Sequence, residues 1–139
     1  MGMVRPYALA ADEGTVVELG IPHLIKAGER GLGRGLAAFV LDTVHGEEPP
    51  THTHRTEDEV FYVLEGEVTF ICDGEEFPAK TGGFVFLPQG LPHTYAIPEG
   101  VRTKLLVLTF PKQENPTGWG GYLGEIEGEG DFATATPAA

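Results

Sequence analysis

The stretch Gly46–Gly66, GEEPPTHTHRTEDEVFYVLEG, decides how the rest of this chain is read. His52-Thr53-His54 sets two imidazoles at i and i+2, and on a strand that spacing turns both to one face. Glu59 follows five residues later and heads EVFYVLEG, a run in which Glu59, Phe61 and Val63 share a side. A second stretch, GGFVFLPQGLPH (residues 82–93), passes through a β-like run and a Pro-Gln-Gly turn to a third histidine, His93. Three imidazoles and one carboxylate suit a first-row divalent ion: Mn, Fe, Co, Ni, Cu or Zn. The single Cys72 rules out a thiolate cluster, and a Ca or Mg cage would use mostly oxygens.

Outward from these stretches, strand-like runs follow one another with turn signals between them. They are Thr15–Leu19, His23–Lys26, Leu36–Val44, Glu59–Leu64, Glu67–Cys72, Glu75–Phe77, Phe84–Leu87, His93–Ile97 and Arg102–Phe110. Asp73-Gly74 is the strongest hairpin signal, and Glu65-Gly66 marks a second tight turn. No apolar period of 3.6 residues lasts three turns before residue 118, so the class is all-β, a sandwich or barrel. Residues 28–35, GERGLGRG, contain Gly-x-Gly but lead into the β-like LAAFVLDTV, with no helix N-terminus to hold a phosphate. They read as a hairpin connection. The tail beyond Pro111 is rich in Gly and Glu, and its last residues, ATATPAA, read as frayed.

Composition narrows the function. The 139 residues fall within the usual size of one domain, and 41 % of them are hydrophobic. A formal net charge of −12 speaks against nucleic acid and against anionic membranes as partners. No run approaches the roughly 18 to 20 apolar residues of a membrane span. The N-terminal MGMVRPYALAADEG has no apolar core of the kind a signal peptide needs, and a cytoplasmic location is the default expectation.

Strand parity suggests what surrounds the four candidate ligands. Phe61 and Val63 follow Glu59, and Tyr95 and Ile97 follow His93. Phe84 and Phe86 share a face and are counted with the same lining, although parity alone does not say which face it is. Such a pocket is apolar and aromatic. Sugar phosphates or anionic sugars would call for Arg and Lys, which these positions lack, so a flat hydrophobic ligand fits better. Trp119, Tyr122, Leu123 and Ile126 in the tail have the spacing of a short amphipathic helix. His23 and His45 fall outside the pattern and read as surface or satisfied histidines.

These spacings resemble the two motifs of the cupin superfamily. Gly46, five residues, His52-x-His54, four residues, Glu59, six residues and Gly66 fit the first motif. Gly82, five residues, Pro88-x-Gly90, two residues and His93 fit the second, and the fifteen residues between motifs are typical of compact single-domain cupins. One position departs: Ile97 stands where the family often has Asn. The resemblance implies a double-stranded β-helix (jelly-roll barrel), one domain over residues 1–139, with a core of about 36–110 and a short C-terminal helix or tail over 111–139 that packs over the barrel mouth and brings Trp119 and Tyr122 to the pocket entrance. A homodimer is implied too, with Thr15–Leu19 as an exchanged strand.

Within the superfamily, PPTHTHRTEDEVFYVLEGEVTF and GGFVFLPQGLPHTY resemble the small bacterial cupins of the quercetin 2,3-dioxygenase type. That implies one divalent transition metal on His52, His54, Glu59 and His93, with O2-dependent ring cleavage of a flavonol or similar enolisable aromatic. Glu59 would serve as ligand and as acid/base on the substrate hydroxyl, and Tyr95 would hydrogen bond near the ligands. Two other functions fit the same residues: a metal-dependent isomerase, lyase or cyclase that needs no O2, and a non-catalytic small-molecule-binding cupin.

Overall fold

The structure, a computed structural model, is described for residues 5–29, 35–111, 123 and 132–134. Its strands are β1 (Thr15–Leu19), β2 (Ile21–Ala27), β3 (Ala37–Thr43), β4 (His52–His54), β5 (Glu57–Glu65), β6 (Glu67–Cys72), β7 (Glu75–Lys80), β8 (Phe84–Leu87), β9 (His93–Ala96), β10 (Thr103–Pro111) and β11 (Phe132–Thr134). They form two antiparallel sheets, ordered β1-β2-β3-β10-β5-β8 and β11-β4-β9-β6-β7. Side chains from the inner faces of both sheets make one core, in which Phe39, Val63 and Val107 of the first meet Val68, Phe70 and Ile97 of the second. Leu123, the one described residue of its stretch, is buried in that core; Trp119, Tyr122 and the rest of the expected C-terminal helix lie outside the described residues.

All nine strands read from the sequence are present, β1, β6 and β8 with the same ends. The longest extension is β7, which continues through Pro78 and Ala79 opposite Thr69 and Val68. As an edge strand, β7 loses little by proline's missing N–H. Asp73 and Gly74 turn the β6–β7 hairpin at φ +50° and +81°, the left-handed pair that a two-residue type I′ turn requires. At Gly66 (φ +93°) a Cβ would lie 2.5 Å from the Arg102 carbonyl oxygen, so only glycine fits between β5 and β6.

Two expectations need correction. The chain end is not simply frayed, because Phe132–Thr134 pairs antiparallel with His54–His52. Three residues are too few to show a period-2 pattern, and that ladder is made of backbone bonds, which leave no mark in composition. Phe84 and Phe86 do not line a pocket. Antiparallel partners share a face, and β8 pairs Val85 with Phe61 and Leu87 with Glu59, so those two turn inward. Phe84 and Phe86 stand outside beside Tyr62 and Val60, 64 % and 52 % exposed.

Candidate metal centre

Both sheets contribute to one buried cluster. β4 carries His52 and His54, β9 carries His93 directly opposite His52, and β5 brings Glu59 from the other sheet. One ligand-type atom from each of the four lies within 4.8 Å of all the others, an arrangement that could hold a metal ion. Local hydrogen bonds hold the bearers in place. Gly90 N–H donates to His54 O at 2.8 Å and Gln89 N–H to Asp58 Oδ1 at 2.9 Å, fastening the turn before His93 to the ligand-bearing β4 and β5. On the other side, Thr94 Oγ1 donates to Pro49 O at 2.7 Å and ties β9 to the loop before His52.

The ring tautomers follow from backbone contacts. His52 Nδ1–H donates to Pro50 O at 2.8 Å, and His93 Nδ1–H to Leu91 O at 3.2 Å, which leaves each Nε2 as the inward nitrogen. Burial, reinforced by the His93 charge, pushes His52 down to about 4, so its ring is neutral near pH 7 and presents a lone pair. Glu59 Oε1 lies 2.8 Å from His54 Nε2 and 2.9 Å from His93 Nε2. Burial pushes the Glu59 carboxyl up, but His54 and His93 outweigh it and hold the group below the usual carboxylate range.

That crowding tests the fit of a metal. Two ring nitrogens, His54 Nε2 and His93 Nε2, crowd one buried carboxylate oxygen of Glu59 at 2.8 and 2.9 Å. A divalent cation would take up the donor atoms of such a cluster, and the nitrogen-rich set suits the transition series. The residues fit.

A cavity of about 460 Å³ opens on this cluster, with His52, Glu59 and His93 in its wall, while His54 sits behind them, fully buried. Phe61 and Phe70 pack 4.6 Å apart and Phe70 meets Tyr95 edge-on at 5.8 Å, giving an aromatic wall drawn from three strands and both sheets. Val63 and Ile97 face inward as parity requires, but lie in the dry core and not in the cavity wall. Tyr95 lines the cavity with its hydroxyl bonded to Thr43, not to the metal-ligand candidates, and burial pushes its pKa up to about 12. At the motif's Asn place, Ile97 works through its backbone: its N–H donates to Glu48 Oε2 at 3.1 Å and its carbonyl accepts from His45 Nδ1 at 3.0 Å.

Residues 39–109 match the cupin domain family, Cupin_2. The chain is a cupin. Among curated proteins it is 29 % identical over 108 residues to the protein MJ1618 of Methanocaldococcus jannaschii, covering 78 % of this chain and 81 % of that one. It is 30 % identical over 106 residues to the quercetin 2,3-dioxygenase of Bacillus subtilis, covering 76 % of this cupin but 31 % of that longer enzyme. Among solved structures, KdgF from Halomonas sp. superposes with a TM-score of 0.64 at 20 % identity, over 78 % of this chain and 96 % of that one, a likeness of fold.

Sequence reasoning passed over several members of the cavity, a histidine among them. His23 is 3 % exposed and lines the same space as His52, Glu59 and His93. The signal was parity: His23 and Ile25 alternate with Leu24 on β2, and once Ile25 is core, His23 points inward with it. The acidic loop residues Glu47 and Glu48 also reach the cavity, although both carboxylates already bond the loop's own backbone.

Proposed function

We propose that this cupin is a metal-dependent dioxygenase that opens the ring of a flavonol, or of a similar neutral, enolisable aromatic, with O2. One observation carries this reading: a buried carboxylate, Glu59, shares an aromatic-walled cavity with the three imidazoles of His23, His52 and His93 and with no Lys or Arg among the described lining residues. An anionic sugar or phosphate would find no Lys or Arg among those residues to pair with. The similarity to the Bacillus enzyme over three quarters of this chain supports the same reading. A divalent transition ion on His52, His54, Glu59 and His93 supplies Lewis acidity and redox contact with O2.

The chain's own residues do the rest. Phe61, Phe70 and Tyr95 hold a flat ring and exclude water. Glu59 accepts the hydrogen bond of the enolic hydroxyl and is the acid–base group of the site, kept ionised by His54 and His93. Protein loaded with Mn, Ni, Co, Fe or Cu is expected to bleach quercetin in air with matching O2 uptake. An unchanged quercetin spectrum defeats the assignment; turnover under argon moves the protein to the isomerases, lyases or cyclases; tight binding without turnover makes it a binding cupin.

We infer that the working form is a single-domain cupin paired as a homodimer in the cytoplasm. The support is an apolar outer face, where Tyr62, Phe84, Phe86 and Phe110 are all exposed on adjoining strands of one sheet. Light scattering on the native chain gives the mass, and a monomer at micromolar concentration rejects the pairing.

A further inference from the structure

We propose that β11 is a clasp on the metal centre: its backbone pairing with β4 positions His52 and His54, and opening of that pairing sets how fast a metal ion is released. This rests on the metal site and not on the oxygen chemistry proposed for it.

Very little else holds β4. The strand is three residues long, His52–His54, and it carries two of the four candidate ligands. In its sheet it lies between β9 and β11. Toward β9 it shares one register pair, His52 with His93, joined by the Gly90 N–H bond to His54 O at 2.8 Å. Toward β11 all three residues are paired: His54 with Phe132, Thr53 with Ala133 and His52 with Thr134. The greater part of the register that fixes this ligand-bearing strand therefore comes from a segment about eighty residues further along the chain.

Strand geometry tells which bonds β11 supplies. Along a strand, the N–H and C=O groups of successive residues point to opposite edges. Pro92 O accepts from Asp73 N–H at 2.9 Å on the β6 side, so the backbone groups of His93 turn toward β4. His54 O accepts from the turn that leads into β9, so His52 and His54 direct their backbone groups to β9 and Thr53 directs its own to β11. Thr53 and Ala133 are then the pair that exchanges both backbone bonds. Those bonds fall on the one residue that separates the two imidazoles.

β11 is short and lies at the edge of the sheet, and such elements open at the least cost in free energy. With β11 away, Thr53 loses both of these bonds and β4 is held from one side only. The coupling is reciprocal: a metal bound across β4, β5 and β9 favours the closed clasp by the factor by which the closed clasp favours the metal.

The native chain and two full-length variants are loaded with Zn, and transfer of Zn to a colorimetric chelator is timed. Ala133→Pro removes the N–H that Thr53 O accepts, and is expected to speed Zn loss about tenfold. Thr134→Pro sets the same ring one residue on, where the N–H points away from β4, and is expected to stay within about twofold of the native rate. On the native chain, Zn is expected to slow amide exchange at Ala133 by about tenfold. A strand that served the fold alone would not show that change, and the measurement needs no variant to fold.

The clasp is refuted if the two prolines act alike, if neither speeds Zn loss, or if Zn leaves exchange at Ala133 unchanged. A native chain that takes up no Zn refutes it together with the metal site. No substrate or O2 enters these measurements, so a failed O2-uptake assay removes the dioxygenase reading alone.

Discussion

β5 and β9 belong to different sheets, yet their inward faces grade in the same way. Along β5 the inward residues run Glu59, Phe61, Val63; along β9 and just beyond it they run His93, Tyr95, Ile97. Each series passes from a candidate metal ligand through an aromatic cavity wall to dry core within four residues. Both ends of each series are equally buried; what separates them is what burial does. At the Val63 and Ile97 end, burial removes apolar surface from water and stabilises the fold. At the Glu59 and His93 end, burial costs free energy that a bound cation recovers. The two ends are therefore expected to respond oppositely to the same kind of perturbation.

The largest effect should come from removing a ligand. Glu59→Gln is expected to lower metal affinity more than about 100-fold while the far-ultraviolet circular dichroism of the barrel stays native. Metal content after dialysis checks it, and native metal content in the variant would break the contrast between the two ends. Ile97→Ala should do the reverse. It is expected to cost about 2–5 kcal/mol in denaturant unfolding while stoichiometric metal binding at His52, His54, Glu59 and His93 survives.

Acid should weaken the metal-free protein through the ligand end. His52 titrates near 4 in the fold and near 6.5 once unfolded, so between those values the unfolded chain binds the extra proton. Stability is then fully present above about pH 6.5 and falls toward pH 4, by on the order of 3 kcal/mol from this residue. Glu59, whose pKa is held low, adds a loss in the same direction as pH falls below the ordinary carboxylate range. Urea midpoints of chelator-treated protein across that window test it, and a flat profile would refute it. The smallest effect on the site belongs to the outer face: Phe84→Ser should leave metal content and unfolding midpoint nearly unchanged while lowering the mass seen by light scattering.

Much of this molecule was legible in its sequence because β structure writes itself in period 2. The inward set on β5 and β9 follows from parity alone once one member is known. Parity does not say how deep a residue sits, so Val63 and Ile97 were assigned to the pocket and belong to the core. Nor does it choose a face for a run that is apolar on both sides, and FVFL at 84–87 is such a run; pairing of Val85 with Phe61 decided it. β11 escaped for another reason, since three residues held by backbone bonds have no side-chain signature.

The sequence by itself determined nine of the eleven described strands in their order along the chain, the four candidate ligands and the cupin motifs that join them, because spacing and residue type are local properties. Only the tertiary structure decided that Glu59 crosses from one sheet to meet three histidines of the other, and that His23 shares their cavity. Such meetings depend on which strands pair and how two sheets close on each other, through contacts between residues as far apart in the chain as His23 and His93.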